Sequence, residues 1–515
     1  MNAIFLGDNF SLDEHGYFGR AFANRGLVKS LFLAKNISHI LAITDAALFE
    51  ALNLSTQIKE KLLILKSLKD VNESFGKYNV KAIICSDFAS NYPNWIHYRN
   101  LRRLGCPVFG FTHSISYQRF TSSIYQILCA RPQEYDAILC TSECAMDVMK
   151  KLFKNVRQTI NFQANPPSLI HFPLAYEAED NPVPTVKSKS FFQVLYLGRL
   201  DWQTKADILV LTCIIKDLPS DHKIRFIVAG NVENDLYLKL LKQYLVPLGV
   251  ELCLSVSEEK KQQLYRESHV LFSPSDNYQE TFGISLLEAK HYGCVPMVTD
   301  FNGYRNLIDD GYDGFLLKTI AAPIPESLFL SQNIVSEATY HGWWAAGVGF
   351  DPLEAARIFY SLSKDSERWG KMSEAAMQSV LQYHISAVAE KFVQLIDSIE
   401  CFQPQVSDYQ YPYQWNFTEI FKSYPCDFWQ NQEVFLTDTG KQYLIEPHIL
   451  PQLMLLSGSI NVEDIREFLF LVKRGHSIHE CLRHEVEPVV MTLSLKNGLI
   501  SLYSIGGGKY EDTYI

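Results

Sequence analysis

One pattern constrains this chain more than any other: short apolar runs alternate with stretches of helical periodicity, in two successive sets. The first set holds "NAIFLG" (2–7), "SHILAIT" (38–44), "KAIICS" (81–86), "CPVFGFTH" (106–113) and "DAILCTS" (136–142). The second holds "FQVLYLG" (192–198), "KIRFIVAG" (223–230), "VELCLSV" (250–256), "HVLFSP" (269–274), "CVPMVTD" (294–300) and "DGFLLK" (313–318), with helical patterns at 205–216, 234–246, 257–267 and 283–292. Strands alternating with helices form parallel βαβ units, so each set predicts a doubly wound domain. The proline-rich and then charged stretch 164–190 reads as the linker between them. The expected fold is therefore α/β: two Rossmann-like domains, residues 1–180 and 181–383, facing a cleft that is the natural ligand site.

Helical runs at 366–382 and 385–400 close this region, and the helix at 384–400 is expected to pack back on the first domain. Residues 401–430, rich in proline and aromatics, read as a second linker. In 431–515, strand-like "EVFLTD" and "QYLIE" precede helical segments that end in "LKNGLISL", which predicts a small winged-helix-like α+β domain.

Bulk properties narrow the function classes. A net charge of -10 leaves no electrostatic footprint for nucleic acid, and segment 431–505 carries only six Lys/Arg against more acids. No run of 18 apolar residues predicts a membrane span, and the start lacks the basic region of a signal peptide. Eleven cysteines without a CxxC pair point to a reducing compartment, hence the cytoplasm. The basic run "HYRNLRRLG" (97–105) reads as a solvated helix face, with peripheral contact to anionic lipid as its other use.

Two stretches carry chemistry. In "VLYLGRLDWQTKADILV" a strand ends at Gly198, and Arg199 and Lys205 flank the loop that opens the next helix. Two cations and free N–H groups there suit a phosphate beyond the strand's carboxyl end. In "SPSDNYQETFGISLLEAKHYGCVPMVTD" a strand ends at Pro274 and Gly283 stands where a helix begins. The amides of Thr281, Phe282 and Gly283 would form a second anion-binding end. Glu280 lies ahead of that end, and Glu288 lies roughly 8 Å along the helix axis, on a bearing about 80° away. Two acids so placed suit opposite ends of an extended ligand, since a carboxylate accepts hydrogen bonds from vicinal hydroxyls.

With Glu280-x7-Glu288 in that setting, followed by "GCVPMVTDFNGYRNLIDDGYDGFLL" and preceded by "LGRLDWQTKADILVL" and "FIVAGN", residues 190–400 resemble the family-4 glycosyltransferases of GT-B architecture. The resemblance implies an acceptor-side first domain and a nucleotide-sugar-binding second domain. It implies Glu288 on the nucleotide ribose, Glu280 on the donor-sugar hydroxyls, and Arg199, Lys205 and the Thr281–Gly283 amides on the diphosphate. His113, which ends "FTH", would stand beside the donor sugar. The family's glycine-rich loop is altered here, with Gly16 and Gly19 in "GDNFSLDEHGYFGRAFA" in place of a Gly-Gly pair.

Expected, then, is a retaining hexosyl transfer from a UDP- or GDP-sugar to a glycan, lipid-linked sugar or peptide. No Asp-x-Asp follows an apolar strand, so neither a metal site nor a cofactor is expected. The 431–505 unit resembles peptide-recognising domains and equally suits a protein partner or dimerisation. A GT-B sugar-nucleotide epimerase and a non-catalytic sugar-nucleotide-binding or partner-binding protein are the rival readings.

Overall fold

Parallel strands covered by helices on both faces are buried on both faces, so they read as continuous Val/Ile/Leu/Phe runs. The central strands of both sets behave this way in the computed structural model, with Val108–Phe111, Ala137–Cys140, Val270–Ser273 and Val295–Thr299 buried at every residue. The structure describes all residues except 11–18, 44–48, 51, 53–58, 162–163, 177–181, 183–186, 189, 233, 333, 405–410, 415, 421–428, 430–431, 455–459 and 503–515.

The first sheet contains β1 (Asn2–Leu6), β2 (His39–Ala42), β3 (Leu62–Ile64), β4 (Asn79–Cys85), β5 (Val108–Phe111), β6 (Ala137–Cys140) and β7 (Ser168–His171), in the order β3-β2-β1-β4-β5-β6-β7. The second contains β8 (Phe192–Leu197), β9 (Ile224–Gly230), β10 (Glu251–Leu254), β11 (Val270–Ser273), β12 (Val295–Thr299) and β13 (Phe315–Leu317), in the order β10-β9-β8-β11-β12-β13, with every pair parallel. The two share one winding. Chain order reverses at β1/β4 and again at β8/β11, and loops leaving those switch points at the carboxyl ends of the strands are where a doubly wound sheet holds its ligand. The core of the second sheet is apolar throughout, with Val194, Val228, Phe272 and Val295 almost wholly excluded from water.

The structure departs from the sequence reading at several points. β7 runs through the stretch read as linker; its four residues are half-exposed or exposed, so it lacks an apolar run. β3 is three half-buried residues and was likewise not foreseen. The basic run at 97–105 is not one solvated face. Arg99 turns inward, fully buried, and its guanidinium forks onto Asp136 and donates to the Cys106 carbonyl at 2.7 Å. His97 is buried and stacks on Tyr411, which leaves Arg102 and Arg103 as the exposed cations of the run.

An element outside the expected pattern follows β13. Residues 319–350 form an antiparallel pair, β14 (Thr319–Ala321) with β15 (Val348–Phe350), enclosing the helices Glu326–Leu330 and Glu337–Ala345. Farther on, the helix Ile385–Asp397 sets Phe392 edge-on against Phe109 and Phe172, at centroid distances of 5.9 and 5.6 Å.

Residues 64–77 and 412–515 cluster as a second compact unit. It contains a two-stranded antiparallel ladder, β16 (Phe435–Leu436) with β17 (Ile500–Ser501), and the helices Asp438–Ile445, Val462–Lys473, Ile478–Arg483 and Pro488–Lys496. Tyr443, Ile465, Phe468 and Met491 pack at its centre. "QYLIE", read as a strand, lies in the first of these helices: Thr437 caps it by accepting the Gly440 N–H at 2.9 Å. Among the described residues, no helix is long and apolar enough to cross a membrane.

Candidate active site

A cleft of about 420 Å³ opens where the loops after β5, β8, β9 and β11 meet the start of the helix Gly19–Leu33. Its lining brings together Arg199, Lys205, Thr281, Phe282, Gly283, Glu280, Glu288 and His113, all singled out from sequence. Gly16, the remaining candidate, lies outside the described residues.

The backbone at the β8 end is set by a close approach. Gly230, at φ +155°, lies so near the Gly198 carbonyl that a Cβ would fall 1.8 Å from that oxygen. This contact holds the end of β9 against the loop that presents Arg199. Gly283 precedes the helix Ile284–His291 at φ +105°, where a Cβ would also strike the Tyr304 ring at 2.6 Å. The N–H groups of Ile284 and Ser285, both in the lining, belong to the first turn, whose amides lack intrahelical acceptors.

At one end of the cleft, Lys205 pairs with Glu280. Burial alone would raise the Glu280 carboxyl, but the Lys205 ammonium and then the backbone N–H groups of Phe282 and Thr281 outweigh it and hold it below its ordinary value. The Phe282 N–H reaches the carboxylate at 3.3 Å. Part of the anion-binding end that the sequence left open for phosphate is thus taken by Glu280 itself.

At the other end, Glu288 accepts from Lys261 at 2.9 Å and from the Tyr265 hydroxyl at 3.2 Å. Lys261 also meets Glu258 at 2.9 Å. Burial opposes its charge, yet Glu288 and Glu258 together hold its pKa above the ordinary value. Sequence reasoning missed Lys261 and Tyr265. Their spacing of four on one helix, with Glu258 three residues before the lysine, was the available signal.

His113 lies against the first domain. Its Nε2 is 2.9 Å from the Ser86 carbonyl, which can only accept, so Nε2 carries the proton and Nδ1 is the acceptor. Burial first, then Arg20, pushes its pKa down to about 4, so the ring is neutral at pH 7. Arg20, Phe22, Ser114, Tyr117, Asn231 and Gln279 are among the lining residues that no motif announced.

Comparison with known proteins places this geometry. Residues 177–322 match the family described as Glycosyl transferases group 1. The chain carries a glycosyltransferase domain. That domain contains both acids, both flanking cations and the helix start between them. A curated relative, an uncharacterized 41.2 kDa protein in the cps region of Klebsiella pneumoniae, is 23% identical over 279 residues, covering 52% of this chain and 71% of its own. Among solved structures, Anabaena Alr3699/HepE in complex with UDP superposes with a TM-score of 0.50 at 14% identity, covering 78% of this chain and 100% of that one. The same protein in complex with UDP and glucose gives the same values. At that identity the likeness concerns the fold, and the transferase domain accordingly lies in a GT-B arrangement of two Rossmann-like sheets.

Proposed function

We infer that the protein transfers a glycosyl unit from a nucleoside diphosphate donor to an acceptor hydroxyl, with retention at the anomeric carbon and without a metal ion. The observation that carries this reading is the order of groups along one cleft: Glu280 with Lys205, then the bare helix start, then Glu288 with Lys261. Glu288 suits ribose hydroxyls, and Glu280 suits hydroxyls of the donor sugar. Arg199, Lys205 and the N–H groups of the first helical turn line the same cleft, where they can meet the negative charge that a diphosphate gains as it departs. Preorganised donors of this kind stabilise a leaving group without a metal.

In the step proposed, the bond from the anomeric carbon to the donor phosphate breaks. The acceptor oxygen bonds to that carbon on the same face, and the acceptor proton passes to the departing phosphate oxygen. Neutral His113, with Nδ1 as an acceptor, orients a hydroxyl of the sugar and takes no charge during the step. The complexes of Anabaena Alr3699/HepE with UDP and with UDP and glucose favour a UDP-sugar as the first donor to try.

Incubation with a panel of UDP-, GDP- and ADP-sugars, read as nucleotide release with and without EDTA, tests this. Release with at least one donor that survives EDTA is expected. Conversion of the sugar nucleotide to an isomer would instead favour an epimerase, and tight binding without turnover a non-catalytic role.

A further inference from the structure

The insert at 319–350 belongs to no part of the doubly wound pattern, yet it reaches the cleft's loops. Trp344, on the helix Glu337–Ala345, stacks on Tyr278 at 3.7 Å between centroids and 12° between planes. Two residues earlier, Gly342 lies so close to the loop carrying Lys205 that a Cβ would meet Gln203 and Trp202 at 3.0 Å. Next to Gly342 on the same helix stands His341, only 2% exposed.

The His341 ring bridges two loops from different domains. Its Nε2 lies 3.1 Å from the Ser116 carbonyl, three residues past His113. Because that carbonyl only accepts, Nε2 carries the proton, and in the neutral ring Nδ1 is the acceptor. The side-chain nitrogen Nε2 of Gln279, the residue before Glu280, lies 3.2 Å from Nδ1 and can donate to it. A second tie runs in parallel, as Ser114 Oγ donates to the Gln279 carbonyl at 3.0 Å. Tyr117 packs edge-on against the His341 ring at 5.3 Å. Asn277, fully buried, braces the same loop by accepting the Gln279 N–H at 3.0 Å and donating to the Gln203 carbonyl at 2.6 Å.

We propose that His341 is a positioning residue for glycosyl transfer: through it the insert clasps the loop bearing His113 to the loop bearing Glu280 and fixes the sugar end of the cleft. The clasp rests on the reading under Proposed function for its catalytic consequence but not for its geometry. It acts on the distance between His113 and Glu280 and leaves the Glu288–Lys261 end untouched. Small misplacements of reacting groups cost rate far more than they cost binding at a remote site.

The test compares wild type with His341→Ala, His341→Gln and His341→Asn, using UDP as the binding probe and the best donor of the panel for turnover. For His341→Ala, kcat should fall on the order of 10- to 100-fold, with UDP affinity within about twofold of wild type. The Gln279 and Glu280 amides should exchange hydrogen faster, while those of β8 and β9 should not. His341→Gln places a donor near the Nε2 position and should recover the tie to Ser116. His341→Asn places an acceptor near Nδ1 and should recover the tie to Gln279. Each should regain part of the lost rate, and if His341→Ala does not fold, this pair still decides the matter.

Unchanged exchange at Gln279 and Glu280 in His341→Ala, or in His341→Gln should the alanine variant not fold, would overturn the clasp. So would a loss of UDP affinity matching the loss of kcat, which marks general damage. If wild type consumed no donor at all, the transferase reading would fall, and the exchange data would still decide the clasp.

Discussion

The two lysine–carboxylate pairs of the cleft use the same chemistry and invert each other's construction. Glu280 and Lys205 come from two loops 75 residues apart, and the acid is the more buried partner, at 14% against 23% side-chain exposure. Lys261 and Glu288 come from two helices, and there the ammonium is the more buried, at 10% against 22%. At the first end a buried acid meets one lysine and the backbone N–H groups of Phe282 and Thr281. At the second a buried lysine is shared by two acids, one of which also holds a tyrosine hydroxyl. Removing one partner of a poorly solvated pair leaves the other uncompensated, so the two ends should respond differently to the same substitution.

The largest effect is expected for Glu280→Ala. Turnover should fall on the order of 100- to 1,000-fold, as when a preorganised electrostatic group is lost. UDP affinity, measured by calorimetry, should stay within about twofold. Equal loss of both would erase the distinction between the ends.

Next comes Lys205→Met, read as kcat/KM against pH. In wild type the Glu280 carboxyl is held below its ordinary value, so its charge persists as pH falls through the usual glutamate range near about 4.3. The stability linked to that charge is present above the unfolded value and disappears only as pH drops through the lower folded one. Without Lys205, burial dominates and the carboxyl rises, so the acid limb of the profile should move to higher pH. An unmoved limb would mean that the lysine does not govern the acid.

Glu288→Ala should weaken UDP about tenfold, in line with losing hydrogen bonds to a charged acceptor, with kcat at saturating donor little changed. Lys261→Met is expected to be the mildest of the four, a few-fold in UDP affinity, because Glu288 is part-exposed and keeps Tyr265. A larger effect from Lys261→Met than from Glu288→Ala would reverse the assignment of roles at that end.

The first end was legible in the sequence, and the second only in part. Glu280, Gly283 and Glu288 lie on one strand–loop–helix unit, so their order along the cleft follows from local geometry. Lys261 sits in "SEEKKQQLYRE", which has the look of a solvated helix face; its burial comes from packing that local periodicity does not encode. The same holds for Arg99, whose partner Asp136 is 37 residues on. β11 and β12 were readable because every residue of them is buried and the runs are apolar almost without interruption, whereas β3 and β7 are short and part-exposed. His341 gave no signal at all. It lies in the aromatic run "TYHGWW", and its two partners are 62 and 225 residues away in sequence.

The contact of Gly230 with the Gly198 carbonyl sets terms for anyone who wishes to retool this cleft. A side chain at 230 would have to occupy space already held by backbone, so any residue but glycine there must displace the loop that presents Arg199. Asn231, one residue on, lines the cleft and is not a glycine held by such a contact. Diversity aimed at changing which donor is accepted belongs there, with Gly230 kept constant as the hinge of the design.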